Sequence, residues 1–190
     1  RFTTVDGQWF TLRKSRQKID RLSDLNVVDS MLEKHLMSLG EKAGLILVTG
    51  GMGVGKTTLA SVLLAEFVRQ YGDLGVTLED PPELPLNGRY PGQKQGMILQ
   101  CPVETSYTEH MSRLLRQQAR YILLGEIRNG EVAGEVLKAG MIGHLVISTL
   151  HADNIESAVT RLSAMASQTQ NNSILADGLL SILHLEKAGN

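Results

Sequence analysis

Gly50-Gly51-Met52-Gly53-Val54-Gly55-Lys56-Thr57 narrows the possible fold more than any other segment of this chain. A glycine, four residues and then Gly-Lys-Thr is the pattern of a phosphate-binding loop. It stands between an apolar run of strand length at 45–49 and a stretch from 57 to about 71 where Leu59, Val62, Leu63 and Phe67 recur at helical spacing. Strand, loop and helix in that order bring inward-turned N–H groups and the positive end of a helix to one point. Lys56 has the reach to bridge β- and γ-phosphates, and the Thr57 hydroxyl suits Mg²⁺. A turn that merely joined strand to helix needs no lysine followed by threonine. Residues Gly50, Gly51, Met52, Gly53, Val54, Gly55, Lys56, Thr57 and Thr58 are therefore the expected cradle for ATP and Mg²⁺.

The rest of the chain alternates in the same way. Short apolar runs at 76–79, 121–125 and 145–149, with a further short one at 97–101, are separated by longer stretches of three-and-four spacing. That alternation predicts an α/β fold, a mainly parallel sheet flanked by helices. Helices are expected with Val28, Met31, Leu32, His35, Leu36 and Leu39 on one face, around Met111, Leu114 and Leu115, at about 129–139, after a capping box formed by Asp153 and Glu156, and at about 173–186 with no closing strand. All five prolines fall between Pro81 and Pro102, and 87–92 has turn chemistry, so that stretch reads as a loop. At the start, 2–5 and 9–12 flank Asp6-Gly7 as a hairpin too small to be stable alone. Five basic residues and one acid follow at 13–21. The expected organisation is the remnant of an N-terminal domain and its linker at 1–22, then a phosphate-loop domain at 23–190 whose C-terminal end is truncated.

Composition removes other classes. Nineteen Lys plus Arg balance 20 Asp plus Glu, and there are only eight aromatic residues, so neither a polyanion-binding surface nor a base-stacking platform is supported. A single cysteine, Cys101, excludes an internal disulfide framework and a Cys-rich zinc site. The aliphatic runs are far short of the roughly 20 residues that span a bilayer.

Hydrolysis requires carboxylates at strand ends, beside the bound phosphates. Tyr121-Ile122-Leu123-Leu124-Gly125-Glu126 is an apolar strand ending in an acid, the arrangement that holds magnesium through its water shell; the same acid could simply start the next helix. Glu79, in Thr77-Leu78-Glu79-Asp80-Pro81-Pro82-Glu83, could orient or deprotonate an attacking water, or could lead a strand into a solvated turn. His144 and His151 bracket one strand, seven steps of about 3.3 Å apart, and so sit more than about 20 Å from each other. Only His151, at the carboxyl end, can approach a γ-phosphate. His144 reads as a capping or packing residue.

In this order and spacing the four segments resemble the secretion ATPase superfamily, the motors of type II secretion, type IV pili and type IV secretion or conjugation. The segment at 77–83 is similar to that family's aspartate box, 123–129 to its Walker B box, and 143–152 to its histidine box. The resemblance implies a RecA-type P-loop NTPase core. It makes Glu79 the catalytic glutamate, Glu126 the Walker B acid acting on Mg²⁺ together with Thr57, and His144 and His151 the histidine pair, with His151 near the γ-phosphate. Arg116 and Arg128 match family arginines, and Arg13, Arg16 and Arg21 stand where the family supplies fingers to the nucleotide. It further implies a homohexamer in the cytoplasm, peripheral at the inner membrane and working on an inner-membrane platform protein, with no direct contact to nucleic acid. A RecA-type nucleic-acid translocase and a nucleotide-binding scaffold without turnover are the alternative functions. Three segments depart from the family pattern: Gln118-Ala119-Arg120 where Asp-Pro-Asp is usual, Asn129 for Asp, and Pro82 for an aliphatic residue.

Overall fold

The computed structural model describes residues 2–4, 7–9, 18–25, 29–103, 106–167 and 173–187. Near the start, β1 (Phe2–Thr4) and β2 (Gly7–Trp9) pair antiparallel, with Thr4 opposite Gly7. Gly7 thus begins the second strand, two residues earlier than the expected start at Trp9. Helix α1 (Ser30–Ser38) is capped by Asp29, whose Oδ1 accepts from the Leu32 N–H at 2.7 Å. Its expected apolar face is buried only at its end. Leu36 and Leu39 are in the core, while Met31 is 80% exposed.

A strand covered on both faces must be apolar throughout, and β3 (Gly44–Gly50) is buried at all seven positions. It is followed by α2 (Lys56–Tyr71), β4 (Asp73–Glu79), β5 (Gly88–Tyr90), β6 (Gly96–Pro102), α3 (Tyr107–Leu114), β7 (Tyr121–Leu124), α4 (Gly130–Met141), β8 (Leu145–His151), α5 (Ile155–Ser167), α6 (Ser173–Gly178) and β9 (Leu179–Leu185). The seven-stranded sheet runs β5-β6-β4-β7-β8-β3-β9, parallel except for the β5–β6 pair. Alternate side chains divide the core in two. Ile46, Val48, Leu123, Leu145 and Ile147 pack with α2 and the end of α1. Leu45, Leu47, Val76, Leu78, Ile122, Leu124 and Val146 pack with α3, α4 and α5. Among the described residues, no helix is long and apolar enough to cross a membrane.

Two elements differ from expectation. The segment expected to be a helix at 173–186 is helical only to Gly178 and continues as β9 along the free edge of β3. Leu179, Leu180, Ile182 and Leu183 fit either period, and the deciding term is non-local: the buried backbone of β3 needs partners on its second edge. The loop at 87–92 likewise contains β5, which pairs with the edge of β6; Tyr90 is buried there and its hydroxyl donates to the Leu86 carbonyl at 2.8 Å. The box starting α5 is shifted by one residue. Asn154 and Ser157 exchange bonds, Ser157 N–H to Asn154 Oδ1 at 2.7 Å and Asn154 N–H to Ser157 Oγ at 3.2 Å, in place of Asp153 and Glu156.

Candidate nucleotide-binding and catalytic site

Strand parity explains why the polar groups converge. On β4, Thr77 and Glu79 share the face that carries α2, and on β8 so do Leu145, Ile147, Thr149 and His151. The phosphate loop enters α2 on that same side. Glu79 and His151 therefore emerge at the carboxyl ends of their strands beside the helix N-terminus, around a cleft of about 620 Å³. Met52, Gly53, Gly55, Lys56, Thr57 and Thr58 form one wall. Glu79, Glu126 and His151 stand opposite.

The loop takes its shape from glycine. Gly50, Gly53 and Gly55 have φ of 138°, 70° and 100°, a region that disfavours any side chain, and Gly55 in this conformation is the N-cap of α2. The side-chain position of Gly50 is also closed by the Leu185 carbonyl at the end of β9. The strand that was not foreseen thus abuts the start of the loop.

Lys56 is 7% exposed, and its ammonium donates to the carbonyls of Gly50 at 3.0 Å and Gly51 at 2.6 Å. It also lies 3.3 Å from His151 Nδ1. An ammonium only donates, so Nδ1 is the acceptor in this contact and Nε2 is the nitrogen left to donate. That nitrogen faces Glu126 Oε1 at 3.8 Å. Burial lowers the Lys56 pKa, with the Glu126 charge opposing the shift.

Glu126 follows β7, where the backbone continues the ladder: the Gly125 N–H donates to the Leu78 carbonyl at 2.9 Å and the Ile127 N–H to the Thr149 carbonyl at 3.0 Å. Its second oxygen accepts from Arg128 Nε at 3.2 Å. Glu79 is 2% exposed, and its Oε1 accepts from Gln100 Nε2 at 2.9 Å. Four carboxylates, Glu79, Asp80, Glu83 and Glu126, line the cleft against Lys56 and Arg128. A bare triphosphate would meet net repulsion there, and a divalent cation offsets it. Among the described residues no cluster of three or more His, Cys, Asp or Glu forms a metal cage. The Thr57 hydroxyl and a facing carboxylate suit a magnesium ion that keeps waters and takes phosphate oxygens.

The structure sorts the remaining expected residues. His144 lies at the other end of β8, where its Nδ1–H donates to the Ala119 carbonyl at 2.6 Å. Arg116 is exposed on a short 3-10 turn, Leu115–Gln117, outside the cleft. Arg21 pairs bidentately with Glu66 at 2.6 and 3.1 Å, a carboxylate shared with Arg69. Glu66 is ten residues along α2 from Lys56, about 15 Å away, so Arg21 is placed off this chain's own loop. Arg13 and Arg16 lie outside the described residues. Asn129 caps α4, its Oδ1 accepting from the Val132 N–H at 2.9 Å, a task that Asp performs equally well. Arg120 donates to the Glu41 carbonyl at 3.0 Å and lies over the Tyr121 ring. Gln100, Tyr107, Asp80, Glu83 and Thr149 enter the site without having been singled out from residue spacing. Tyr107 lines the acidic wall, and burial raises its pKa.

A parallel sheet with this loop and these strand-end acids defines a RecA-like P-loop nucleotide-binding domain. Residues 3–187 match the family described as "Type II/IV secretion system protein", and the chain belongs to that family. It is 31% identical over 172 residues to the type II secretion system protein E of Klebsiella pneumoniae, covering 90% of this chain and 33% of that protein. It is 30% identical over 180 residues to the type IV pilus assembly ATPase PilB of Thermus thermophilus, covering 94% of this chain and 20% of that one. The solved structure of the pilus retraction motor PilT with bound ADP superposes with a TM-score of 0.74 at 29% identity, over 90% of this chain and 49% of that one. The chain thus spans a third or less of the length of these two curated relatives.

Proposed function

We propose that this chain is the ATP-hydrolysing core of a motor for a pilus assembly or retraction, type II secretion or type IV secretion machine. The observation that carries this reading is the convergence of Lys56, Glu79, Glu126 and His151 on one cleft beside a helix N-terminus. The N–H groups at the start of α2 and the Lys56 ammonium bind the β- and γ-phosphates. Lys56 exchanges the Gly50 and Gly51 carbonyls for phosphate oxygens, which its three donors allow. Thr57 and, through water, Glu126 would hold Mg²⁺, which would supply charge neutralisation at the phosphates. Glu79 accepts a hydrogen bond from the attacking water and aligns it with the terminal phosphorus. His151 keeps its Nε2–H directed at Glu126 and presents its ring to the same end of the cleft.

In the same reading, residues 1–22 close an N-terminal domain and linker, and 23–190 form the motor domain. The working unit is a homohexamer, cytoplasmic and peripheral at the inner membrane. It couples turnover to rigid-body movement against a membrane platform protein, and the family relatives named for secretion and pili support that direction. The direct test is Glu79→Gln in the full-length protein. ATP affinity should stay within a few fold while turnover falls by orders of magnitude, and near-normal hydrolysis would reject the assignment.

A further inference from the structure

We propose that Gln100 is the positioning residue for the Glu79 carboxylate, holding it correctly aimed through an amide bonded at both its nitrogen and its oxygen; this rests on the catalytic reading of Glu79 given above. The β4–β6 register places Gln100 opposite Thr77, so Thr77, Glu79 and Gln100 share one sheet face, and Gln100 is the diagonal neighbour of the acid. Its Nε2 donates to Glu79 Oε1 at 2.9 Å and to the Leu84 carbonyl at 2.7 Å. Its Oε1 accepts from the Leu86 N–H at 3.2 Å. The orientation of this amide is not a free choice. Turned over, its oxygen would face a carboxylate and a carbonyl while its NH₂ met an N–H donor, so every contact would become repulsive. Its own N–H, donating to Asn87 Oδ1 at 3.2 Å, ties the same residue to the following loop once more.

Two consequences follow from this arrangement. A donor aimed at Oε1 of a carboxylate that is 2% exposed fixes that oxygen in place and so holds the group in one orientation. The rotamer of Glu79 is also set by the loop that carries Asp80 and Glu83 into the cleft wall, because Gln100 is fastened to its Leu84 and Leu86. Gln100 touches neither phosphate nor water in this account and acts wholly through Glu79.

The experiment uses full-length protein with Mg-ATP and measures kcat and KM for Gln100→Leu, Gln100→Glu, Glu79→Gln and the Gln100→Leu/Glu79→Gln double variant. Gln100→Leu should lower kcat about tenfold or more with KM within about threefold, because the carboxylate loses the donor that aims it. Gln100→Glu, isosteric and retaining the fold if Leu does not, should lower kcat at least as far, since it removes the donor and sets a second carboxyl group at the same distance. In the Glu79→Gln background the Leu substitution should cost nothing more. A kcat unchanged in both Gln100 variants, or a full further loss in the double variant, overturns the positioning role while leaving Glu79 itself intact. Normal turnover by Glu79→Gln overturns the catalytic reading, and the role of Gln100 with it.

Discussion

The two ends of β8 carry the same residue type in opposite circumstances. His144, at the amino end, spends its Nδ1–H on the Ala119 carbonyl, and beside it Arg120 and Tyr121 donate to the carbonyls of Glu41 and Gly40. Those carbonyls lie outside the strand ladder, and the side chains satisfy them. His151, at the carboxyl end, meets an ammonium and a carboxylate, both themselves able to exchange partners. The difference teaches where to look for chemistry in a parallel sheet. The carboxyl ends of β4, β7 and β8 bring Glu79, Glu126 and His151 to one cleft beside the N-terminus of α2. At the other end His144, Arg120 and Tyr121 are consumed by the backbone.

The largest test of this contrast is Lys56→Ala, which should weaken ATP binding at least about 100-fold, the size of two lost charge-assisted hydrogen bonds, as read by titration calorimetry. Unchanged affinity would remove the phosphate-loop assignment. The same group gives the next effect through pH. Its lowered pKa means that the free protein loses the ammonium before an ordinary lysine would, while a bound polyanion favours keeping it. ATP affinity should therefore fall as pH rises, starting below the usual lysine range, and Lys56→Arg should flatten that slope. An affinity independent of pH from 7 to 10 in the unmodified protein would contradict this.

Smaller effects belong to the structural end. His144→Ala should destabilise the fold by about 1–2 kcal/mol, measured by urea unfolding, and leave ATP affinity within about twofold. A large loss of affinity there would break the comparison between the two ends. Asn129→Ala should cost about 1 kcal/mol through the lost cap of α4, while Asn129→Asp should be close to neutral. Equal losses in both would mean that this position does more than cap a helix.

What was readable in advance follows the range of the contacts. The phosphate loop was legible because its glycines, lysine and threonine all act within eight residues, on backbone geometry they set themselves. Four of the buried parallel strands were legible because burial on both faces demands continuous apolar runs, and β3 and β8 carry such runs at 45–48 and 145–147. Glu79 was ambiguous from its own segment, since a strand entering a turn reads the same whether or not it faces a nucleotide. Its parity relative to α2 decides, and that depends on which face the helix covers.

By itself, then, the chain's order of residues determined the glycine-rich loop between strand and helix, the strand–helix alternation and the two acids at strand ends. Tertiary structure alone decided that 179–185 would extend the sheet, that 88–90 would cap its opposite edge, that His151 would set Nδ1 against Lys56 and Nε2 against Glu126, and that an amide 21 residues beyond Glu79 would grip it. Each of those outcomes turns on a backbone or side-chain group finding its partner across the sheet. Such pairing depends on inter-strand register and on edges left open, which no local window of residues contains.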